Sequence, residues 1–446
     1  MTTSPSIPLF EEVVSGYHKL SESGGTKKES SDLRRTRQSA FEKFRELGGF
    51  PSIRNEDWRY TNLARFLKDE FTIEGWEISD KTPAVDKDLV KKALIAGLDC
   101  YQIVLVNGSW DGTITGGELP KGIQLLKVAD ARQDPAFSAY FEKHNGWKEH
   151  FANLNAALFA DGIFIRVDAG VAIEKPLHII HLYTSGNNLL VQPRNVWVIN
   201  RNAELSAIES VVSGGKGIIW VNSLTDVLVN ADGRFHHTML QTAGTGVRLV
   251  QQTNVRQHRK SLYNNFNFTL PGADLVRNDL QVRLEEDHTE SHLYGLYLAA
   301  GNQLVDNHTV VDHQKPNCLS NELYKGVLLE QSTGVFNGKV YVHQDAQKTN
   351  AFQQNNNLVI SPKATIDSKP QLEIFADDVK CSHGSTVGQF SEEALFYLRA
   401  RGIGVEAAKG LLINAFAFDV TEKIRMPEVE AHVNALISAH IPNHHG

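Results

Sequence analysis

Thiols are scarce in this chain. Its 446 residues include three cysteines, Cys100, Cys318 and Cys381, odd in number and widely spaced, which argues against a disulfide framework. No CxxC pair occurs, so a structural zinc site lacks its ligands. Three scattered thiols also cannot give the four close ligands of a self-contained metal cluster. Positive charge is not in excess either. Lys and Arg number 45 against 52 Asp and Glu, a net charge of −7 at pH 7, so counterion release from phosphates cannot drive nucleic-acid binding. No apolar run approaches the roughly 20 residues of a membrane helix. Met1-Thr2-Thr3-Ser4-Pro5-Ser6 lacks the basic-then-apolar order of a secretory signal, which makes the cytoplasm the expected location. A phosphate-binding loop needs GxxxxGK[ST]. Gly215-Lys216 has Ser210 where the upstream glycine belongs and Gly217 where Ser or Thr belongs, and Gly338-Lys339 is followed by Val340. ATP hydrolysis by this chain alone is therefore not expected.

What is present is ordinary globular composition, 41% hydrophobic and 22% charged, in a chain long enough for two or three structural units. The first hundred residues read mostly helical. Ser31-Asp32 is a capping signal for a helix carrying Ala40, Phe41, Phe44 and Leu47, with Gly48-Gly49 and Pro51 as its stop. Residues 21–32 are small, polar and charged, and read as a mobile loop. From Tyr101-Gln-Ile-Val-Leu-Val106, ended by Asn107-Gly108, the texture turns to strands. Between Ile163 and Cys381 short apolar strands alternate with Asn, Asp and Gly turns, without a helical pattern.

A weak repeat runs through that stretch. The anchors Leu205, Phe235, Leu275, Leu304, Phe336 and Ile366 lie 30, 40, 29, 32 and 30 residues apart. A near-constant period suggests a solenoid whose coils bury their faces on one another. A large β-sandwich gives similar spacing, and spacing alone does not choose between them. The tail is helical again. Ser391 caps a helix opened by Glu392 and Glu393 and stopped at Arg401-Gly402. A second helix spans about Val405 to Phe416, and a third starts at Pro427 with Val429, Val433 and Leu436 on one face. His440 to Gly446 are expected to fray.

One segment is distinctive: Lys363-Ala-Thr-Ile-Asp-Ser-Lys-Pro-Gln-Leu-Glu-Ile-Phe-Ala-Asp-Asp-Val-Lys-Cys-Ser-His-Gly-Ser-Thr-Val-Gly388, running into Glu393-Ala-Leu-Phe-Tyr-Leu-Arg-Ala-Arg-Gly-Ile403. It resembles the signature of the SufB/SufD family, and Cys381-Ser382-His383-Gly384 with Thr386-Val387-Gly388 resembles the SufD branch. Glu56-Asp-Trp-Arg-Tyr-Thr61, Asn153-Leu-Asn-Ala-Ala157, Asp306-Asn-His-Thr309 with His313 and Pro316, Lys325-Gly-Val-Leu328 and Gln347-Lys-Thr-Asn-Ala351 extend the resemblance over nearly the whole chain. SufB-like chains carry more cysteines and place one near Leu398, unlike Leu395-Phe-Tyr-Leu398 here. The resemblance implies an N-terminal helical domain (1–98), a mixed α/β segment (99–160), a right-handed parallel β-helix core (161–388) and a C-terminal helical domain (389–446). It implies a non-catalytic scaffold subunit that pairs with a SufB-like paralogue through the core, binds a SufC-like ABC-type ATPase through the C-terminal helices, and helps assemble and pass on nascent iron–sulfur clusters. The isolated chain is expected to form a homodimer and to hold no tight cofactor, the cluster residing at the interface with the paralogue.

The candidate site follows. Cys381 and His383 stand two apart, so on a strand both face one side and could present a thiolate and an imidazole to one metal. A strand-end Cys and His can equally pack without any ligand. The resemblance assigns His383 to the cluster-related histidine at the paralogue interface and Cys381 to an interface position, with Asp377 and Asp378 supporting. It places Leu395, Tyr397, Arg399 and Arg401 in the ATPase-binding domain, and Asp419-Val420 reads as a further contact. His308 and His313 fall on opposite strand faces and read as structural. His288 and His292 mimic zinc spacing only on a helix. Cys318 has no assigned role, and Trp58 and Tyr60 read as local core. The competing readings are a β-helix carbohydrate-active enzyme built on Asp306, Asp312 and Asp345, and a stand-alone homodimeric scaffold.

Overall fold

The computed structural model describes residues 8–22, 30–73, 85–131, 137 and 149–441. Strands rich in Val, Ile, Leu and aromatics wind into a parallel solenoid with two sheets, and each coil gives one strand to each. The first sheet runs from Ile123–Lys127 through Ile163–Val167, Arg194–Ile199, Ile219–Val229, Val247–Gln257, Leu275–Leu284, Leu304–His313 and Thr333–Val342 to Thr365–Ile374. The second runs from Ser109–Thr115 through Tyr101–Val106, Leu177–Ser185, Glu204–Gly215, Arg234–Gln241, Leu262–Thr269, Glu290–Ala299, Leu319–Leu328 and Asn350–Val359 to Lys380–Gly388. The solenoid, not the sandwich, is the architecture. Within 99–160, Tyr101–Val106 already pairs in parallel with Leu177–Ser185 of the rod.

The repeat has a sharper marker than the apolar anchors. Asn202, Asp232, Lys260, His288, Asn317 and Lys348 all have φ between 55° and 62°. Each donates its N–H to a carbonyl of the next coil, as Asn202 does to Ala231 and Lys348 to Asp378. A left-handed residue at every such corner turns the chain from the first sheet into the second, and Asn and Asp tolerate that conformation best among non-glycine residues. The anchors mixed two series. Leu205 and Phe235 are register partners in the second sheet, whereas Leu275 and Leu304 are partners in the first. The 40-residue gap is one coil plus a crossing between sheets.

Eight helices are described: α1 (Pro8–Glu22), α2 (Ser31–Glu46), α3 (Lys87–Ala93), α4 (Val128–Ala131), α5 (His150–Leu158), α6 (Glu392–Arg399), α7 (Val405–Thr421) and α8 (Pro427–His440). The cap of α2 is Ser30, one residue before the expected pair, and its Oγ accepts the Leu33 N–H at 3.2 Å. Of the expected loop over 21–32, Ser21 and Glu22 end α1 and Ser31 and Asp32 begin α2, while 23–29 lie outside the described residues. α7 continues past Phe416 to Thr421, since Ala417 and Val420 keep packing on the second sheet. His440 does not fray: its Nδ1 meets the Leu436 carbonyl at 2.8 Å and Ile441 beside it is buried. Residues 442–446 lie outside the described residues.

The helices cover opposite outer faces of the rod. Phe44, Phe50, Trp58 and Phe151 pack on Leu190, Trp220, Val250 and Leu275 of the first sheet. Ile413, Ala417, Val429 and Val433 pack on Ile208, Leu240, Phe266 and Leu296 of the second. One buried cation ties the N-terminal segment to the rod. Arg277 lies 3.7 Å from the Trp58 ring centre and donates to Asp306 at 2.6 Å, to Asp279 at 2.9 Å and to the Asp57 carbonyl at 2.8 Å. Thr61 adds its hydroxyl to Asp306. Removing one partner of a buried pair strands the other charge, at about 3–5 kcal/mol. Arg277→Met should therefore lower unfolding stability by about that amount in urea titration and speed protease cleavage within 50–65. Unchanged stability would show that the cation is not the tie.

The open end of the rod as candidate functional site

In this solenoid every inward position is covered by the same position of the next coil. Along Asn350–Val359 the inward side chains Ala351, Gln353, Asn355 and Asn357 are buried. Their register partners on Lys380–Gly388 are Cys381, His383, Ser385 and Val387. No strand follows among the described residues, so this last inward row is open: His383 is exposed and Val387 is 57% exposed. In the first sheet Thr365–Ile374 ends the same way, and Ser368 Oγ meets Ser385 Oγ across the interior at 2.8 Å. Ile374, Phe375 and Phe352 add exposed apolar surface near this end.

Cys381 and His383 thus share one face, as their spacing requires. Cys381 is half-buried against Val340, Val342, Ala351 and Ala376, and burial pushes its thiol pKa up. It is a neutral thiol in the free chain, a poor ligand until something takes its proton. Asp377 and Asp378 are exposed in the preceding turn. Asp378 is an ion-pair partner of Lys348, and its backbone N–H donates to Gln347 Oε1 at 2.9 Å. That holds the corner together.

One coil inside, Glu322 is the inward register partner of Gln353. Gln353 Nε2 donates to Glu322 Oε2 at 2.7 Å. Glu322 is fully enclosed, and burial pushes its pKa up to about 7. The amide reaches across because Gly338 opposite has no side chain; a Cβ there would stand 2.4 Å from Gln353 Nε2. Nothing in the sequence marked this pair, since its members lie 31 residues apart and meet only through the coil register.

The C-terminal helices form a second surface. α6 buries none of its residues; Phe396 is 73% exposed, and the Arg401 guanidinium carbon lies 3.5 Å from the Tyr397 ring centre. Tyr397, Arg399 and Arg401 are exposed, whereas Leu395 is half-buried. Leu411 and Phe418, two turns apart on α7, are about half exposed and were missed. Their signal was legible, since α7 is apolar all round and only one side can face the rod. Asp419-Val420 is not a free contact: Asp419 pairs with Lys325, and Val420 is buried.

The remaining motifs are structural. His308 faces outward with Nε2 3.0 Å from Asp306, and His313 faces inward to Ser320 Oγ at 2.9 Å. His288 sits at a corner and His292 on a strand, away from any helix. The Cys318 thiol is buried and accepts the Thr289 hydroxyl at 3.0 Å. Trp58 is core, but Tyr60 is exposed. Asp306 is bound to Arg277, and Asp312 accepts from His343 at 2.8 Å, so two of the three carboxylates of the carbohydrate-enzyme reading are engaged elsewhere. No helix among the described residues is long and apolar enough to cross a membrane.

Comparison with known proteins decides the family. The family described as "SUF system FeS cluster assembly, SufBD core domain" matches residues 181–416, and "SufBD protein N-terminal region" matches 17–179. The chain belongs to the SufBD family. It is 28% identical over 441 residues to the iron–sulfur cluster assembly protein SufD of Escherichia coli, covering 98% of both chains. It is 29% identical over 422 residues to an iron–sulfur cluster assembly SufBD family protein of Synechocystis, covering 92% of this chain and 91% of that one. To the chloroplastic protein ABCI7 of Arabidopsis thaliana it is 27% identical over 416 residues, 90% of this chain and 84% of that one. The chain is thus a SufBD-family iron–sulfur cluster assembly protein and a homologue of SufD.

The buried carboxyl of this SufBD chain gives a pH test. An unfolded Glu titrates near 4.5 and folded Glu322 near 7, so the folded chain holds more protons between those values. Stability contributed by the neutral carboxyl is present below about pH 4.5 and is lost as pH rises to about 7. Wild type should lose up to about 3 kcal/mol relative to Glu322→Gln between pH 4.5 and 8 in paired urea titrations. A pH-independent difference would contradict the assignment.

Proposed function

We propose that this chain is the SufD-type scaffold subunit of a complex with a SufB-like paralogue and a SufC-like ABC-type ATPase, acting in the cytoplasm without catalytic chemistry of its own. The observation that carries the reading is the open end of the rod. Thr365–Ile374 and Lys380–Gly388 are full-length terminal strands, each paired on one side only among the described residues. Such edges recruit further strands. The paralogue extends both sheets there and covers the exposed inward row. His383 then faces the junction as a ligand for a nascent iron–sulfur cluster, which is cargo of the complex. Most thiolate ligands come from the partner, in keeping with the single, half-buried Cys381 near this end. Without the paralogue the same edges pair two copies of this chain.

The ATPase docks on the exposed apolar residues of α6 and α7. Phe396, Tyr397, Leu411 and Phe418 are large, apolar and uncovered, the kind of residue that anchors an interface core.

Two variants separate the two surfaces. His383→Ala should co-purify with both partners at wild-type ratio while iron–sulfur cluster bound to the complex in cells drops severalfold, read by iron and sulfide content. Equal cluster content would remove the ligand role. Phe396→Ser combined with Phe418→Ser should weaken ATPase binding about tenfold or more in calorimetry and leave paralogue binding intact. Unchanged ATPase affinity would move that interface elsewhere.

A further inference from the structure

The inward row at the open end holds an acceptor with no partner. Gln353 Nε2 donates to Glu322 at 2.7 Å, which leaves the amide carbonyl to find another donor. Gln353 Oε1 is buried and has no hydrogen-bond partner. The next side chain along that row is His383, its in-register neighbour on the terminal strand. Both face inward, because Ala351, Gln353 and Asn355 alternate with exposed residues on the inner strand, and Ser385, two past His383, reaches across the interior to Ser368. An unpaired buried carbonyl costs about 1–3 kcal/mol. An imidazole in the adjacent position has one N–H to give and one lone pair to keep.

We propose that Gln353, held by Glu322, is a positioning residue for His383: its amide carbonyl accepts one imidazole N–H, selecting a single tautomer and aiming the other ring nitrogen out of the open end. This rests on the reading of His383 as a metal ligand and supplies the outer partner that such a histidine needs. A ligating imidazole is oriented, and its free nitrogen fixed as an acceptor, by the bond its other nitrogen makes. The chain of contacts is directional. Glu322 is enclosed and anchors the amide nitrogen; Gly338 leaves room for it; the amide carbonyl is left without a partner beside the register position of His383. Glu322 and Gln353 do not touch metal themselves.

The test uses the metal-free full-length chain, with histidine ring nitrogens labelled with 15N and long-range proton–nitrogen correlation spectra recorded at pH 8. The His383 signals are assigned by their loss in His383→Gln. In wild type they should show one dominant tautomer. Gln353→Met, similar in volume but without the carbonyl, should shift them to the tautomer mixture of a free imidazole. Glu322→Gln keeps an acceptor for the Gln353 amide and should leave the signals as in wild type, whereas Glu322→Leu should reproduce the Gln353→Met shift, which keeps the test open if one of the two variants does not fold. A free-imidazole mixture in wild type, or signals that ignore both Gln353→Met and Glu322→Leu, would overturn the proposal. Because no metal is present, this outcome is independent of whether His383→Ala lowers cluster content, and the ligand reading can fail while the positioning bond stands.

Discussion

A strand in a sheet satisfies its backbone donors and acceptors on two sides, and a strand at an edge satisfies them on one. The rod handles its two ends differently. At the N-terminal end each sheet finishes in a strand that reverses direction, Ser109–Thr115 against Tyr101–Val106 and Ile123–Lys127 against Ile163–Val167. Reversal breaks the parallel stacking, and Asp111 and Gly112 make the first of these a poor template for another chain. At the C-terminal end both sheets stop on long parallel strands in full register with the coil before. Pro370 in Thr365–Ile374 lacks an N–H, which suits an edge position. The second-sheet edge, Lys380–Gly388, contains no proline and keeps every donor. Exposure of the inward row, the accessibility of His383 and the apolar fringe of Ile374 and Phe375 all follow from that unfinished end.

A stiff body makes such an end useful. Inside the rod, side chains interlock across the coils. Gly295 and Gly326 leave the space that the Tyr324 and Tyr297 rings fill. Glu209 accepts from His181 at 2.5 Å and from His237 at 2.7 Å, and those two hydrogen bonds hold its carboxyl down at about pKa 2 although it is enclosed. Buried polar networks of this kind are costly when half-made, so coils that contain them do not slip in register. The helical layers on opposite faces add breadth without covering the end.

Much of this was legible in the residues. Strand texture from Tyr101, the caps at Gly48 and Ser391 and the shared face of Cys381 and His383 follow from local rules, and the family followed from the segment around Cys381. What was not legible depends on coil length. The corners recur every 28 to 31 residues, and that variation hides the register in the sequence. The anchor series therefore mixed two sheets, the pairing of Asp378 with Lys348 went unseen, and Glu322, Gln353 and His383 looked unrelated. Arg277 illustrates the same limit, because its contact with Trp58 spans more than two hundred positions and no local pattern announces it.

Backbone amide exchange at the terminal strands tests the open end most directly. Followed by mass spectrometry on the isolated chain in dilute solution and on the chain mixed with excess SufB-like paralogue, peptides covering 365–374 and 380–388 should exchange in the isolated chain at the roughly half of their amides that point away from the inner coil, and those amides should become protected in the mixture. Peptides covering 319–328, already paired on both sides, should stay protected throughout. Protection that appears elsewhere on the rod while 380–388 gains none would contradict the account.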